Sequence, residues 1–598
     1  MPHGTRSSTA RILVRALIAS EASRAEAARS TGDLRDTRAP ARAGCLPPSL
    51  GGVSTHEVTN QVPPFLGHDF LADDIALHES VDRWAGPDAL ADLAPLGALA
   101  GSAEAQEHAR LADGNVPVLR THDARGNRVD EVEFHPSWHW LMTQAVGAGL
   151  TAEPWTSPAG TGAHVRRAAG FVVWSRVEAG HGCPVSMTYA AGSALRHDPS
   201  LGARWLPALA SRGYDFGIRP VSQKAGAISG MGMTEKQGGS DVRANTTRAV
   251  PSPGGPLTGD TYRLTGHKWF CSAPMSDVFL VLAQAPGGLT CFVVPRALDD
   301  GTRNAFALQR LKDKLGNHSN ASSEVELDGT WGSRLGDEGR GVRTIIDMVG
   351  ATRLDCVLGS TATMRDAVSR ALHHARHREA FGALLVDQPL MRNVLADLAL
   401  EAEAATVLGL RLAHAVDTGE TELARIGVAL GKFWVCKRTA PMVAEALECL
   451  GGNGYVEENG LARLYREAPL NSIWEGSGNV NALDVLRAVT REPSSLEALT
   501  KELHEVRGRS RELDAHVDSA LAGARSLDPT SAAAAFGARA LVEGLALALQ
   551  ASLLVQHSPG PVADAFVASR IAGRRGHSFG SLDVDLAGAT SAVIDRAG

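Results

Sequence analysis

The chain has 598 residues, of which 44% are apolar, 21% charged and 5% aromatic, and its formal net charge is -7. A chain of this length holds about three to five domains, and its modest acidity gives no overall electrostatic reason to expect a nucleic-acid-binding protein. The seven cysteines include no CxxC pair and no run of about 18 apolar residues stands out, so we expect a cytoplasmic protein without a membrane span.

Residues 1–54 are rich in arginine: the first fifty residues hold eight arginines against four acidic residues. This composition leaves two interpretations open. One is a transit peptide, and the other is a low-complexity, disordered extension, which the Ala/Arg/Gly bias of the whole chain favours. From residue 55 to 222, apolar runs at helical periodicity are separated by loops with Gly and Pro, which predicts an N-terminal helical domain.

The pattern of apolar and turn-forming residues changes twice more along the chain. In residues 223–335, short β-type segments near 261–264, 278–282, 291–294 and 324–327 alternate with Gly, Pro and Asn turns, which predicts a small antiparallel β domain. Residues 336–490 carry long apolar stripes, with Pro389 where a helix would begin and Gly451-Gly452 where one would end, and this predicts a helical bundle. Residues 491–598 are rich in Ala and Leu and predict additional helices, with a break at 526–531.

Several standard motifs fail when their spacing is counted. The segment Gly427-Val-Ala-Leu-Gly431-Lys432-Phe433 resembles a phosphate-binding loop, but it is one residue short and lacks the Ser/Thr that would hold magnesium, so we interpret it as the interior of a helix. No G-x-G-x-x-G follows a predicted strand, which argues against a Rossmann dinucleotide site. Two histidine groups lack Glu or Cys at metal-ligand spacing, and we expect no metal there. They are His135 and His139, and His373, His374 and His377.

Two segments carry more chemical information. In Met231-Gly232-Met233-Thr234-Glu235-Lys236-Gln237-Gly238-Gly239-Ser240-Asp241, two adjacent glycines allow a ligand close to the backbone, and Thr234 and Ser240 offer hydroxyls. Such a loop can bind a flat heterocycle and a phosphate together. The alternative is an ordinary turn.

The second segment is Asn471-Ser472-Ile473-Trp474-Glu475-Gly476-Ser477-Gly478-Asn479. Its carboxylate, Glu475, follows a tryptophan and precedes a Gly-Ser-Gly run. An apolar setting would raise the pKa of Glu475 toward neutrality, as a general base requires. The alternative is a helix-capping acid before a glycine turn.

Taken in chain order, these segments resemble the acyl-CoA dehydrogenase flavoprotein family over about residues 55–490. The resemblance rests on Met233-Thr234-Glu235, Gly238-Gly239-Ser240-Asp241, Gly266-His267-Lys268-Trp269, Arg378 with Phe381-Gly382 and Gln388, and Gly451-Gly452-Asn453-Gly454-Tyr455. Three further motifs, and the helical region beyond residue 490, are similar to the AidB-like branch of adaptive-response proteins. They are Leu311-Lys-Asp-Lys-Leu-Gly-Asn317, Leu464-Tyr-Arg-Glu467 and Ile473-Trp-Glu-Gly-Ser-Gly-Asn479.

The resemblance implies an α+β fold, mostly α, with an N-terminal helical domain, a central antiparallel β domain, a C-terminal four-helix bundle and an extra helical region. It implies FAD held between the β domain and the bundle of a homotetramer, a dimer of dimers in which Arg378 and Gln388 reach a neighbouring subunit's cofactor. The implied FAD contacts are Met231, Met233, Thr234, Gly238, Gly239, Ser240, Trp269, Phe270, Cys271, Arg378, Phe381, Gln388, Ile473, Trp474, Gly476, Ser477, Gly478 and Asn479.

The activity implied by the resemblance is the dehydrogenation of an acyl-CoA thioester. Glu475 would remove the α proton, and the β hydrogen would leave as a hydride to flavin N5. The length of the acyl chain and the physiological electron acceptor stay open, because both depend on packing that the sequence does not display.

The AidB-like branch also implies an alternative function: a flavin-containing protein of the DNA alkylation damage response that binds double-stranded DNA and has weak or incidental dehydrogenase activity. Binding to phosphates needs clustered Lys and Arg, yet residues 491–598 hold eleven basic against thirteen acidic residues, a net charge of about -2. This composition counts against DNA binding and favours a solvated mixed-charge surface. The residues available for a basic patch are Arg487, Arg507, Arg509, Arg511, Arg574 and Arg575.

Overall fold

The computed structural model of the protein describes residues 55–598, so the leader predicted at 1–54 lies outside the described residues. Contacts divide the chain into residues 1–59 and residues 60–598. Every helix and strand described below belongs to the second of these units.

Within the described residues, seven α-helices precede the large sheet. They are α1 (Ile75–Ala85), α2 (Pro87–Ala100), α3 (Ala103–Gly114), α4 (Pro136–Gly147), α5 (Ala163–Ser175), α6 (Gly182–Leu195) and α7 (Pro199–Leu209). Short polar side chains begin several of them: Asp74 accepts a hydrogen bond from Leu77 N at 3.1 Å ahead of α1, and Asp198 caps α7. Helices α5 and α6 are buried along most of their length.

A small hairpin, β1 (Val118–His122) with β2 (Arg128–Glu133), interrupts this helical region. The sequence analysis missed it, because the segment Arg-Val-Asp-Glu-Val-Glu is short and mostly charged. Asp130 explains why the hairpin forms: its side chain accepts a hydrogen bond from Leu308 N at 3.0 Å and its carbonyl accepts one from Arg296 at 3.1 Å. Together with the burial of Val132 in the apolar core of the large sheet, these tertiary contacts stabilise a segment whose sequence carries little apolar pattern.

Seven strands form the central sheet. They are β3 (Ser229–Gly232), β4 (Arg248–Pro251), β5 (Thr261–Ser272), β6 (Val278–Ala285), β7 (Gly288–Pro295), β8 (Ala307–Leu311) and β9 (Ser322–Leu335). Their order is β3-β6-β4-β5-β9-β7, with β8 on β9, and β7 also pairs with β6, so that five strands close a ring. The four β-type segments predicted from sequence all lie inside these strands. The sheet is not purely antiparallel, because β3 and β4 each pair in parallel with β6.

The bundle follows the sheet. Its elements are α8 (Gly341–His377), a hairpin of β10 (Glu379–Ala380) and β11 (Ala383–Leu384), α9 (Pro389–Thr418), α10 (Thr421–Glu448), α11 (Leu461–Glu467) and α12 (Gly478–Arg491). Helix α9 begins at Pro389, as predicted, and α10 runs without interruption through residues 427–433. The sequence interpretation of that segment as a helix interior is therefore confirmed. Helix α8 packs against α6, α9 and α10.

The C-terminal region contains α13 (Pro493–His504), α14 (Arg511–Arg525), α15 (Ala532–His557), α16 (Gly560–Phe566) and α17 (Thr590–Asp595), with the predicted break between α14 and α15. By length and composition, α15 is the one helix among residues 55–598 that could cross a membrane, and 33% of its most apolar stretch is buried inside the fold. The sequence analysis overlooked it because Arg539 and Glu543 interrupt the apolar run. Its C-terminal half packs against α9 and α10.

Candidate active site

Glu475 lies in the short loop that precedes α12, and helix α8 holds it from one side. Thr352 Oγ1 donates a hydrogen bond to Glu475 Oε2 at 2.7 Å, and Arg353 Nε donates to the Glu475 carbonyl at 3.0 Å. The backbone φ of Glu475 is +55°, a left-handed conformation that is costly for a residue other than glycine. The contacts from α8 therefore hold both the carboxylate and the strained backbone in place.

The electrostatic surroundings of Glu475 suit a general base. Burial raises the pKa of its carboxyl group, whereas the Thr352 hydrogen bond and the positive charges of Arg353 and Lys432 oppose this rise. The result agrees in direction with the raised pKa that the sequence predicted. The capping alternative does not hold, because Ser477 is the N-cap residue of α12 and Glu475 makes no capping hydrogen bond to that helix.

Arg353 belongs to a buried ion network behind the loop. Its Nη1 lies 2.7 Å from Asp484 Oδ2, and the other Asp484 oxygen accepts from Arg425 at 3.0 Å and from Arg487 at 2.8 Å. Burial would raise the pKa of Asp484, but Arg353 and Arg425 outweigh burial and lower it. Asp484 is therefore ionised and balances the charge of the arginine that holds Glu475.

A second buried ion pair shapes the glycine-rich loop at residues 233–241. Lys268 Nζ donates to Glu235 Oε1 at 2.8 Å, and Glu235 Oε2 also accepts from Thr246 N at 2.7 Å. Trp269 N donates to the Thr234 carbonyl at 2.9 Å, which fixes the start of the loop to β5. Glu235 and Lys268 are thus structural residues of the loop, a role that their presence in the sequence motifs did not reveal.

The rest of this loop is open and rich in free hydrogen-bonding groups. Residues 236–241 are exposed, and the hydroxyls of Thr234 and Ser240 make no hydrogen bond to any residue of the range 55–598. A Cβ on Gly239 would lie 2.5 Å from Thr234 Oγ1, so a side chain there would displace that hydroxyl. The loop can therefore offer two hydroxyls and several amides to a flat polar group and a phosphate.

Strand β5 places two aromatic side chains beside this loop. Trp269 is half-buried and Phe270 is 55% exposed, and Lys312 Nζ lies 3.2 Å from the centroid of the Trp269 ring. Cys271, the third predicted contact, is buried in the apolar core of the sheet, and the pairing of β5 with β9 is irregular between Lys268 and Cys271. Its contact with a cofactor stays a prediction.

The glycine-rich loop and the Glu475 loop are far apart in the sequence, but both pack against one apolar cluster. Met231, Met233 and Trp474 all pack against the same apolar cluster, which includes Ile345 and Met348. Trp474 Nε1 also donates to Asn471 Oδ1 at 2.9 Å, which orients its ring. The remaining predicted residues of this segment lie around the start of α12, and Ile473, Ser477 and Asn479 are exposed while Gly476 and Gly478 are more enclosed.

Arg378, Phe381 and Gln388 lie apart from this site within the described chain. They belong to the β10–β11 hairpin region, where Arg378 donates to the Asn60 carbonyl and Gln388 donates to the Ala380 carbonyl at 3.1 Å. Phe381, at the tip, is 100% exposed with a φ of +52°. The fold of one chain therefore does not bring these three residues to Glu475.

Sequence reasoning missed the residues that support Glu475 from other elements: Thr352, Arg353, Lys432 and Asn481. Thr352 and Arg353 lie within a long helix and carried no motif. Lys432 was noticed only as part of an apparent phosphate loop. Their roles depend on which helix turn faces the loop, and no local pattern in the sequence contains that information.

Most of the arginines predicted to contact DNA are engaged within the fold. Arg487 pairs with Asp484, Arg507 donates to Asp518 at 2.9 Å, and Arg509 donates to a backbone carbonyl. Arg574 and Arg575 lie 3.8 Å from Asp585 and 3.9 Å from Asp397, respectively. Among the six, Arg511 alone has no ion pair or hydrogen bond with the described residues. The arginines therefore do not form a free basic patch, and DNA binding stays a prediction.

Three consecutive parts of the chain match known families. Residues 60–216 match the adaptive response protein AidB N-terminal domain, residues 230–330 the acyl-CoA dehydrogenase middle domain, and residues 339–490 the acyl-CoA dehydrogenase C-terminal domain. These matches cover the helical region, the sheet and the bundle in the order that the fold displays.

Individual proteins are similar over most of the chain. The putative acyl-CoA dehydrogenase AidB of Escherichia coli strain K12 is 50% identical over 466 residues, which covers 77% of this chain and 85% of that protein. Acyl-CoA dehydrogenase family member 11 of Caenorhabditis elegans is 32% identical over 439 residues, 69% of each chain. The crystal structure of Caenorhabditis elegans ACDH-11 in complex with C11-CoA has a TM-score of 0.75 at 27% identity, covering 90% of this chain and 93% of that one.

Proposed function

The chain belongs to the acyl-CoA dehydrogenase family, in its AidB branch, and from this membership we propose that it oxidises an acyl-CoA thioester between the α and β carbons with FAD as cofactor. The observation that carries the proposal is the environment of Glu475. The carboxyl group of Glu475 accepts a hydrogen bond from Thr352, and burial raises the pKa of this group. Glu475 also lies next to Trp474, which packs against the same apolar cluster as the glycine-rich loop.

The open loop at residues 233–241 fits the cofactor. Thr234 and Ser240 present free hydroxyls, and the glycines leave room for the backbone to approach a ring and a phosphate. Trp269 and Phe270 supply an aromatic wall beside the loop. When bound there, FAD supplies a two-electron acceptor for the β hydrogen of the substrate.

The residues of the chain supply the proton chemistry. Glu475, as a carboxylate, takes the α proton; the electron pair of the broken α C–H bond forms the new carbon–carbon double bond, while the β hydrogen departs with its own electron pair. A raised pKa brings the basicity of Glu475 closer to the operating pH, where a general base is most effective. Trp474 covers the apolar side of the site and keeps water from the carboxylate.

The test is an anaerobic titration of the flavin absorbance with saturated acyl-CoAs of increasing chain length, including the C11 chain bound by ACDH-11 of Caenorhabditis elegans. We expect at least one acyl-CoA to bleach the flavin. We expect Glu475→Gln to retain FAD but to slow bleaching by about 10²–10⁴-fold. Bleaching of this variant at the wild-type rate would contradict the role of Glu475.

We further propose that the site is completed by a second copy of the chain, which the fully exposed Phe381 at the tip of the β10–β11 hairpin supports. In that assembly, a homotetramer, Arg378 and Gln388 of one copy approach the cofactor of another. We expect Arg378→Ala to lower the FAD content of the purified protein without lowering the melting temperature of the apoprotein. A monomer in light scattering that retains a full complement of FAD would rule this arrangement out.

A further inference from the structure

Lys432 is a buried cation in the middle of α10. Its side chain belongs to the segment that resembles a phosphate loop in sequence, and the residue is 1% exposed. By contrast, Lys224 and Lys268, whose side chains are 1% exposed, each pair with a buried carboxylate, Asp277 and Glu235 respectively. The lysine in α10 therefore stands out by its burial and by what it contacts.

No carboxylate of residues 55–598 lies within 4.0 Å of Lys432 Nζ. Its hydrogen bond instead goes to the carbonyl oxygen of Gly476, at 3.0 Å. A buried ammonium without an ion-pair partner is costly, so its position calls for a compensating charge close by. Its positive charge lowers the pKa of Glu475, the acid that directly precedes the glycine it contacts.

The two thiols that interact with Glu475 supply no negative charge. Burial raises the pKa of the Cys183 thiol to about 12 and raises that of Cys356 well above its ordinary value, so both thiols are neutral. Arg353, on α8, is already balanced by Asp484. The carboxylate of Glu475 is thus the charge left to balance Lys432.

Lys432 also acts on the backbone of the loop. The Glu475 carbonyl accepts from Arg353 and the Gly476 carbonyl accepts from Lys432 and, at 2.6 Å, from Asn481 Nδ2. Two consecutive carbonyls are therefore each held by a buried cation, and the first of them belongs to Glu475, whose backbone is in the left-handed conformation. Release of one of them would let the strained backbone relax.

We propose that Lys432 is a positioning residue for Glu475: its hydrogen bond to Gly476 holds the loop, and its positive charge supports the carboxylate form of Glu475. The inference rests on the proposed function, in which Glu475 is the base. It gives the lysine of the apparent phosphate loop a role in proton abstraction rather than in phosphate binding.

The experiment compares Lys432→Met, which removes both charge and donor, with Lys432→Gln, which removes the charge and keeps a donor. Two readouts are measured against pH: the rate of flavin bleaching by an acyl-CoA, and the infrared band of the protonated Glu475 carboxyl group, assigned by its loss in Glu475→Gln. We expect both substitutions to move the acid limb of the rate profile and the infrared titration upward by about one pH unit, a tenfold change in ionisation. Lys432→Met should also lower the limiting rate at high pH, because it releases the loop, and Lys432→Arg should restore part of that loss.

Lys224→Met is the matched control, because it also removes a buried lysine but leaves the Glu475 loop untouched. We expect it to lower the melting temperature without moving either titration. An unchanged infrared titration in Lys432→Gln, or an equal shift in Lys224→Met, would overturn the proposal. Persistent bleaching in Glu475→Gln would instead contradict the proposed function itself, so the two failures are distinguishable.

Discussion

The loop around Glu475 and the surface of residues 491–598 both carry basic side chains, but the two regions use them in opposite ways. At the loop, Lys432 is buried, has no paired carboxylate among the described residues and donates to the backbone beside Glu475, the proposed base. In the C-terminal region, Arg507 is exposed and lies against an exposed partner, Asp518. The number of basic residues in a segment therefore says little about its free positive charge, which depends on burial and on nearby acids.

The sharpest test of this comparison removes the acid of an arginine–aspartate pair in each region. Asp484→Ala leaves Arg353 and Arg425 without their buried partner, and we expect the free energy of unfolding to fall by about 3–5 kcal/mol. Asp518→Ala removes the exposed partner of Arg507, and we expect no resolvable change in the free energy of unfolding, because solvent screens this pair. Chemical denaturation followed by circular dichroism measures both.

If Asp484→Ala and Asp518→Ala lower the free energy of unfolding equally, burial does not distinguish the two ion pairs and the comparison is wrong. The single substitutions also predict a functional difference. Asp484→Ala should disturb flavin bleaching through Arg353, whereas Asp518→Ala should leave the bleaching rate unchanged.

Because of Glu467, at the end of α11, we expect pH to change the stability of the bundle but not that of the C-terminal surface. Burial, together with the nearby charge of Glu178, raises the pKa of Glu467 to about 7. Stabilisation from this group is therefore complete below about pH 4.5 and is lost as pH rises through 7. Relative to Glu467→Gln, wild-type protein should lose about 3 kcal/mol of unfolding free energy between pH 5 and pH 8.

The measurement is urea denaturation of both proteins across that pH range. The acids of residues 491–598 that shift, such as Asp518, have a lowered pKa and are ionised throughout it. A wild-type protein that follows the pH dependence of Glu467→Gln would show that the buried carboxyl group does not titrate in this range.

Thr352 offers a smaller test at the Glu475 loop. Its hydrogen bond lowers the pKa of Glu475 against the effect of burial, so Thr352→Val should raise that pKa further and move the acid limb of the bleaching rate to higher pH. A hydrogen bond to a charged group contributes about 1.5–3 kcal/mol, or about 10- to 100-fold in rate at neutral pH. Thr361→Val, which removes a buried hydroxyl that bonds only within the same helix, is the control. If the acid limb of the bleaching rate does not move in Thr352→Val, the Thr352 hydroxyl has no part in the proton transfer.

The smallest expected effect concerns DNA. Arg507 is paired with Asp518, whereas Arg509 bonds only to a backbone carbonyl, which leaves its charge unbalanced. Neutralising Arg507, Arg509 and Arg511 together should therefore change the salt dependence of any duplex binding by no more than about two phosphate contacts. A gel-shift series against salt concentration measures the slope. A fall in the slope of about three units would show that these arginines are free in solution, and would reverse the contrast between the two regions.

The order of helices and strands could be read from the sequence because it follows local signals. Pro389 begins α9, and the break at 526–531 separates α14 from α15, as expected from composition. The β1–β2 hairpin was missed because tertiary contacts of Asp130, rather than its own pattern, stabilise it. The parallel pairings of β6 were missed for the same reason, since register between distant strands is not a local property.

The candidate site was predictable where its residues lie in loops with unusual composition. Glu475 and the Gly238-Gly239 pair stood out because glycine and a carboxylate occur there together. Thr352 carried no motif, and Lys432 stood out only through its resemblance to a phosphate loop. Each occupies a helix, and packing decides which turn of that helix faces the Glu475 loop. Cys271 was predicted as a contact because of its neighbours in the motif, and the structure buries its side chain in the core of the sheet, after an irregularity in β5 that the sequence does not display.

The buried pair of Glu235 and Lys268 has a consequence for how the protein acquires its cofactor. Since the carboxylate already binds Lys268 and the backbone of Thr246, the glycine-rich loop has its shape before any ligand arrives. Little conformational entropy remains to be lost when a cofactor docks, so association should be governed by diffusion and contact rather than by slow ordering of the chain. Cofactor-free protein should accordingly rebind its ligand rapidly, and cycles of loss and reloading would leave the fold intact.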